Sequence, residues 1–197
     1  PTDQGVIDYY SNIVESVCED DFNVLLYHIP QTSGVSINLN IIENLIKRYP
    51  NNIVGIKDSE NNLNKMTEII DNFPNFKVFS GSDSLALSII KKGAVGAITA
   101  TANISVQLLS FIVKNAKNEE MKVNLEKAHL LQDKIRKIVF SQEQISFMKA
   151  LMHIQNKDNS WETIMPPLIP LANGQGNQNI NETINLLNEM KNLLSSF

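Results

Sequence analysis

Apolar and polar positions in the first half of the chain switch repeatedly between two periods. Val6, Ile7, Tyr10, Ile13, Val14 and Val17 recur at helical spacing, with Thr2 or Asp3 placed before them as N-cap. The run FNVLLYHIP then packs apolar and β-branched residues without interruption and stops at Pro30, as a buried strand does. NLNIIENLIKRYP returns to the helical period at Leu39, Ile42, Leu45 and Ile46 and ends at Pro50. The pair of patterns recurs as a strand NIVGIK and a helix marked by Leu63, Met66, Ile70 and Phe73, closed by Pro74. FKVFS and SLALSIIKKG repeat it again, and AVGAITATAN predicts a fourth strand. Helical patterns follow near 105–116, 119–139 and 144–155. A Gly- and Asn-rich link then leads to a last helix marked by Ile180, Ile184, Leu187 and Met190.

Four strand–helix units predict an α/β fold with a parallel sheet, its strands apolar throughout because both faces are buried. Such units build either an open doubly wound sheet or a closed barrel. The sequence holds no Gly-x-Gly-x-x-Gly turn and no phosphate loop ending in Gly-Lys-Ser/Thr. Its unusual residues fall at strand C-terminal ends: Tyr27 and His28, Lys57 and Asp58, Gly81 to Asp83, Thr99 to Asn103. Functional groups sit there in a barrel, so the barrel is the expected architecture. A complete barrel takes about 250 residues and eight strands. Four strands in 197 residues are therefore expected to be completed by an N-terminal half or by a second chain.

Composition narrows the partners. With 17 basic and 21 acidic side chains the net charge is -4, which gives a phosphate backbone no attraction, and no nucleic acid is expected. Apolar residues make up 43% of the chain but come in short runs, none of membrane-spanning length, so no membrane is expected either. Cys18 is the single cysteine, which excludes an intrachain disulfide framework and fits a reducing compartment. PTDQGVIDYY has no signal-peptide pattern, and a cytoplasmic location is expected. His129 and His153 lie in helical patterns away from other ligand types, so no metal site is expected.

Lys57 ends the apolar run IVGI and is followed at once by Asp58 and Ser59. A lysine at a strand end is most often a solvated surface charge. Held in an apolar wall it becomes a nucleophile, because burial disfavours the ammonium form. Four segments in order, VLLYHIPQTSGV, IVGIKDSENN, VFSGSDSLAL and GAVGAITATAN, resemble the dihydrodipicolinate synthase and N-acetylneuraminate lyase family of Schiff-base pyruvate aldolases. The closing WETIMPPLIPL is similar to the family's Pro-Leu segment, and the resemblance covers nearly the whole chain. It implies a TIM (β/α)8 barrel of which this chain supplies strands five to eight plus C-terminal helices. Residues 1–117 would be the C-terminal half of the barrel and 118–197 a helical extension.

The resemblance also implies roles. Lys57 would attack the keto carbon of a 2-keto acid, and Tyr27 would shuttle protons as general acid and base. Gly81, Asp83, Ile98 and Thr32 match substrate-side positions. Each has an ordinary structural alternative: a tight turn at Gly81, a helix cap at Asp83, strand packing at Ile98. No cofactor is implied beyond the covalent lysine Schiff base, and the partners would be a small keto acid, an aldehyde and further copies in a dimer or tetramer. In the synthase branch an arginine five residues after the tyrosine grips a carboxylate; Thr32 stands there, so a bidentate clamp is missing. TSGV resembles the sugar-acid lyases, while AITATAN resembles the synthase. His28 replaces the family's usual asparagine, and strand alternation turns it away from Tyr27. The glycine-rich loop that holds the keto-acid carboxylate has no counterpart in this sequence. The expected activity is therefore a pyruvate-dependent aldolase or lyase on a sugar-acid-like substrate. The alternatives are a 4-hydroxy-tetrahydrodipicolinate synthase and a non-catalytic ligand-binding barrel.

Overall fold

The structure, a computed structural model, describes residues 1–17, 22–171 and 176–196. Cys18 and positions 172–175 of the polar link lie outside the described residues. The chain divides into two compact units, Pro1–Thr99 and Ala100–Phe197.

The first unit opens with α1 (Asp3–Ser16), whose N-cap Thr2 accepts the Gly5 N–H on its hydroxyl at 3.2 Å. Then follow β1 (Val24–His28), α2 (Pro30–Ser33), α3 (Leu39–Arg48), β2 (Ile53–Asp58) and α4 (Leu63–Asn72). β3 (Lys77–Ser80), α5 (Asp83–Lys92) and β4 (Gly96–Ala97) complete it. All three strand pairings are parallel, in the order β1-β2-β3-β4. Right-handed crossovers that step always in one direction place the helices on one face of the sheet. An order without reversal is that of a barrel wall, since a doubly wound sheet turns back at a switch point.

The two faces differ accordingly. Leu26 and Ile56 are 0% exposed beneath the helices, whereas Leu25 and Tyr27, on the other face, are 40% and 44% exposed. The expectation that both faces are buried is thus corrected: within the described residues helices cover one face only. The predicted fourth strand is also shorter than AVGAITATAN. Ile98 N–H still donates to Ser80 O at 2.8 Å, after which the chain turns into the next helix.

Register between β1 and β2 carries an irregularity. Val24 pairs with Ile53 but Leu25 pairs with Gly55, so β2 contributes one residue more than β1 at this step. Gly55 is required there, because a Cβ would lie 2.3 Å from Lys77 O and 2.9 Å from Leu25 Cδ2. Gly55→Ala is therefore expected to destabilise the protein by about 2 kcal/mol, although alanine lowers the entropy of the unfolded chain. The urea unfolding midpoint checks this, and a midpoint that stays or rises would show that β2 and β3 have room to part.

The second unit is helical: α6 (Ala102–Asn115), a 3-10 turn at Glu119–Met121, α7 (Lys122–Phe140), α8 (Gln144–Asn156), a further turn at Asn159–Glu162, and α9 (Asn177–Ser195). Leu108, Ile112, Leu125, Ile135, Phe147 and Leu187 are buried in its core. The helix predicted from 105 begins at Ala102 and breaks its helical geometry at Ser105 (φ -133°), which hides its first turn from the periodicity. Ser105 Oγ donates to Thr101 O at 3.0 Å at this kink. Gln132 Nε2 donates to Thr101 Oγ1 at 3.0 Å, pairing two buried polar side chains. Among the described residues no helix is long and apolar enough to cross a membrane.

Candidate active site

Tyr27 and Lys57 are direct partners in the β1–β2 register, and both side chains stand on the open face. Adjacent strands lie about 4.8 Å apart, which brings the two functional groups within reach. Lys57 Nζ donates to Tyr27 Oη at 3.1 Å and lies 4.2 Å from the centroid of the phenol ring. Lys57 is half-buried rather than sealed, with Ile53 and Ile56 buried in the same strand. Ser59, just beyond β2, continues the pairing, its N–H donating to His28 O at 2.8 Å.

The electrostatics favour proton loss from Tyr27. Burial pushes its phenol up, but the hydrogen bonds from Ser59 and Lys57 and the charge of the Lys57 ammonium outweigh it, leaving the group below its ordinary 10.0. An amine and a phenol in contact exchange a proton readily: the pair can present either a free amine beside a phenol or an ammonium beside a phenolate. Next to Tyr27 a cleft of about 410 Å3 is walled by Val6, Tyr9, Tyr10, Val35 and Ile37. Burial raises the Tyr10 phenol above 10.0, an effect the main chain of Tyr27 offsets only in part.

The remaining predicted positions have clear structural places. Gly81 N–H donates to Asp58 O at 2.7 Å, and a Cβ on Gly81 would fall 2.1 Å from Ser59 Oγ. The end of β3 can pass the end of β2 this closely only with glycine. Asp83 is buried as the first residue of α5, where a carboxylate meets the positive end of the helix dipole. Its neighbour Ser82 is the N-cap residue but makes no side-chain cap bond. Ile98 is partly exposed just after β4, and Thr32 is exposed in α2. Contact is observed for the Lys57–Tyr27 pair; Gly81, Asp83 and Ile98 follow the ends of β3 and β4, and Thr32 lies in α2.

His28 and Asp58 lie on the opposite, helix-covered face, as alternation requires. With Glu60 they bring possible metal-ligand atoms within 4.8 Å of one another. The hydrogen bonding runs against a metal: Ile37 N–H donates to His28 Nδ1 at 3.1 Å, so the ring proton belongs on Nε2, 3.3 Å from Glu60 Oε2. An Nε2 that donates has no lone pair for a cation, and Glu60 is already paired with Lys65 at 2.7 Å. The group is a hydrogen-bonded stitch between strand ends.

Asp58 gives this stitch a pH dependence. Burial holds its carboxyl above 3.8, an effect only partly offset by His28 and the Glu60 amide. A folded-state value above the unfolded one contributes stability below the unfolded value, and that contribution is lost as pH rises through the folded value. Asp58→Asn keeps an acceptor for the Glu60 N–H and carries no charge. It is expected to stabilise the protein at pH 7 by about 1 kcal/mol and to flatten the stability profile above about pH 4. Urea midpoints across pH check this, and an unchanged slope would place the titration elsewhere.

Ser59 and Tyr10 were not singled out from the sequence. Ser59 was accessible in principle, since a residue two beyond Lys57 shares its side of a continuing strand. Tyr10 sits in the apolar stripe of α1, and nothing in that pattern shows where its hydroxyl ends.

Comparison with known proteins agrees with this architecture. The model of the Dihydrodipicolinate synthetase family matches residues 1–186. A 4-hydroxy-tetrahydrodipicolinate synthase of Helicobacter pylori (strain Shi470) is 31% identical over 173 residues, covering 86% of this chain and 55% of its own. The structure of the 4-hydroxy-tetrahydrodipicolinate synthase from Methylacidiphilum fumariolicum SolV aligns with a TM-score of 0.83 at 22% identity, over 98% of this chain and 63% of the other. The dihydrodipicolinate synthase from Acinetobacter baumannii complexed with pyruvate aligns with a TM-score of 0.79 at 27% identity, over 97% and 62%. The chain spans about half the length of the curated relatives it matches. A family match over nearly its whole length, on a parallel α/β sheet like that of these barrels, means that the chain belongs to the dihydrodipicolinate synthetase family.

Proposed function

We propose that this chain carries the nucleophile side of a lysine Schiff-base pyruvate lyase. The observation that carries the reading is the 3.1 Å contact between Lys57 Nζ and Tyr27 Oη on an open sheet face. Tyr27, as phenolate, takes a proton from the Lys57 ammonium. The free amine adds to the keto carbon of pyruvate, and the carbonyl oxygen takes the proton back from Tyr27. Loss of water from this carbinolamine leaves an iminium on Lys57. Its electron demand lets the methyl carbon give a proton to the Tyr27 phenolate, and the enamine adds to an aldehyde. Tyr27 protonates the new alkoxide, and water or an amine of the product releases Lys57. No cofactor takes part.

In this reading the sheet is strands five to eight of a (β/α)8 barrel, residues 118–197 are its helical extension, and the protein works as a homo-oligomer. The names of the relatives support 4-hydroxy-tetrahydrodipicolinate synthase, joining pyruvate to aspartate semialdehyde, above the sugar-acid reading. One observation favours the sugar-acid lyase: Thr32 is exposed and offers a hydroxyl where a carboxylate grip needs a cation. Borohydride reduction of the full-length protein with pyruvate, followed by peptide mapping, tests the chemistry; an adduct on Lys57 is expected. Turnover with aspartate semialdehyde against 2-keto-3-deoxy sugar acids then separates the substrates. A folded full-length protein that forms no adduct is a binding protein.

A further inference from the structure

We propose that Gln31 is a positioning residue for the aldehyde partner: it staples α2, which helps wall the cleft beside Tyr27, to the end of the strand that carries Lys57. The inference rests on the Schiff-base reading and deepens it, from the keto acid that Lys57 binds to the acceptor that the enamine attacks.

The cleft reaches Tyr27 without reaching Lys57. Ser33, at the end of α2, and Val35 and Ile37, just after it, wall the cleft together with Tyr27, and Lys57 does not line it. On its other flank Tyr27 meets Lys57 Nζ at 3.1 Å. Once pyruvate is bonded to Lys57, the group that must still reach Tyr27 is the aldehyde, whose new alkoxide takes the proton of the phenol. A cleft that adjoins Tyr27 and stops short of Lys57 is the place for the rest of that aldehyde.

By itself the α2 wall is weakly built. α2 is one turn of four residues, and its N-cap Ile29 makes no side-chain cap bond. So short a helix gains too few hydrogen bonds to offset the ordering of its residues. Thr32 and Ser33 N–H donate to Ile29 O at 3.1 and 2.9 Å, and Gly34 N–H to Pro30 O at 2.9 Å, so these bonds run inside the turn. Further on, Ile37 N–H donates to His28 Nδ1 at 3.1 Å and fixes the far end of the segment. Gln31 fixes its middle, with Nε2 donating to Ser59 O at 2.7 Å. Ser59 is a firm anchor, since it is buried and its own N–H donates to His28 O at 2.8 Å. It stands two residues past Lys57, so the staple sets the cleft wall against the strand of the nucleophile. Gln31 is itself exposed, so its bond orients α2 rather than filling the core. Thr32, the next residue in the turn, is placed by the same staple.

The test uses the full-length protein with Gln31→Met, which keeps the length and loses the donor, and Gln31→Lys, which can donate to the same carbonyl. Each is assayed with pyruvate and one of two aldehydes, aspartate semialdehyde or the uncharged glyceraldehyde. Gln31→Met is expected to raise KM for the aldehyde about fivefold, within the roughly tenfold that the net loss of one hydrogen bond allows. The borohydride-trapped adduct, KM for pyruvate and kcat should stay within about twofold of the wild type, because Lys57 and Tyr27 are untouched. Gln31→Lys should restore KM for the aldehyde, and glyceraldehyde, having no charge, reads the restored bond alone. An aldehyde KM that Gln31→Met leaves unchanged overturns the proposal. So does a rise that pyruvate shares equally, or one that lysine does not repair. A wild-type protein that forms the adduct but joins it to neither aldehyde overturns this proposal and leaves the Schiff-base reading standing. A wild-type protein that forms no adduct overturns both.

Discussion

Lys57→Ala is expected to abolish the borohydride-trapped pyruvate adduct and to slow turnover of the full-length protein by at least about 10⁴-fold, since removing a covalent nucleophile leaves only binding and field effects. Folding should survive, because Lys57 is half-buried at a strand end and its observed side-chain contacts are with Tyr27. Lys57→Arg separates chemistry from charge. A guanidinium keeps a cation and a donor beside Tyr27 but stays protonated and cannot add to a keto carbon. It should therefore fold like the wild type and remain as inactive as alanine. Near-normal turnover in either variant, with the adduct on another lysine such as Lys65, would remove Lys57 from the mechanism.

Tyr27→Phe removes a single oxygen and keeps the ring that lies under the Lys57 ammonium at 4.2 Å. The expected loss in kcat is about 10²–10³-fold, the usual range for one general acid–base group. Adduct formation should be slowed and not abolished, because other bases, including water, can take the proton from Lys57. Stability should change little, as the hydroxyl leaves a side chain that is 44% exposed. The pH–rate limb assigned to the phenol should vanish. A Tyr27→Phe enzyme that keeps both its rate and that limb would show that the proton passes through another group.

Much of the fold was legible because it is written in local periods. The strand–helix alternation, the Thr2 cap and the last helix need neighbouring residues alone, and they stand where the patterns put them. What escaped depends on partners distant in sequence. β4 is short because its neighbour β3 ends at Ser80, a limit that the composition of AVGAITATAN does not carry. α2 is too short to show a period. An apolar strand reads the same whether one face or both are covered, so the open face of Leu25 and Tyr27 was misjudged. In the site, alternation foresaw that His28 turns away from Tyr27, but not that it meets Glu60. Lys57 and Tyr27 were marked by family resemblance; their contact comes from register, which no single strand encodes. The close pass of Gly81, just beyond β3, beside Ser59 likewise depends on a segment distant in sequence.

The extra β2 residue between the Val24–Ile53 and Leu25–Gly55 pairs acts as a vernier for the chemistry. Counted straight on from Val24 and Ile53, Tyr27 would stand beside Ile56, and Lys57 beside His28. Those neighbours belong to the helix-covered layer, where Ile56 and His28 are buried. The offset advances β2 by one place and brings amine and phenol level across the ladder. The alignment on which proton exchange depends is thus encoded as a spacing between strands, so two relatives can carry the same lysine and tyrosine and still differ in whether the two meet.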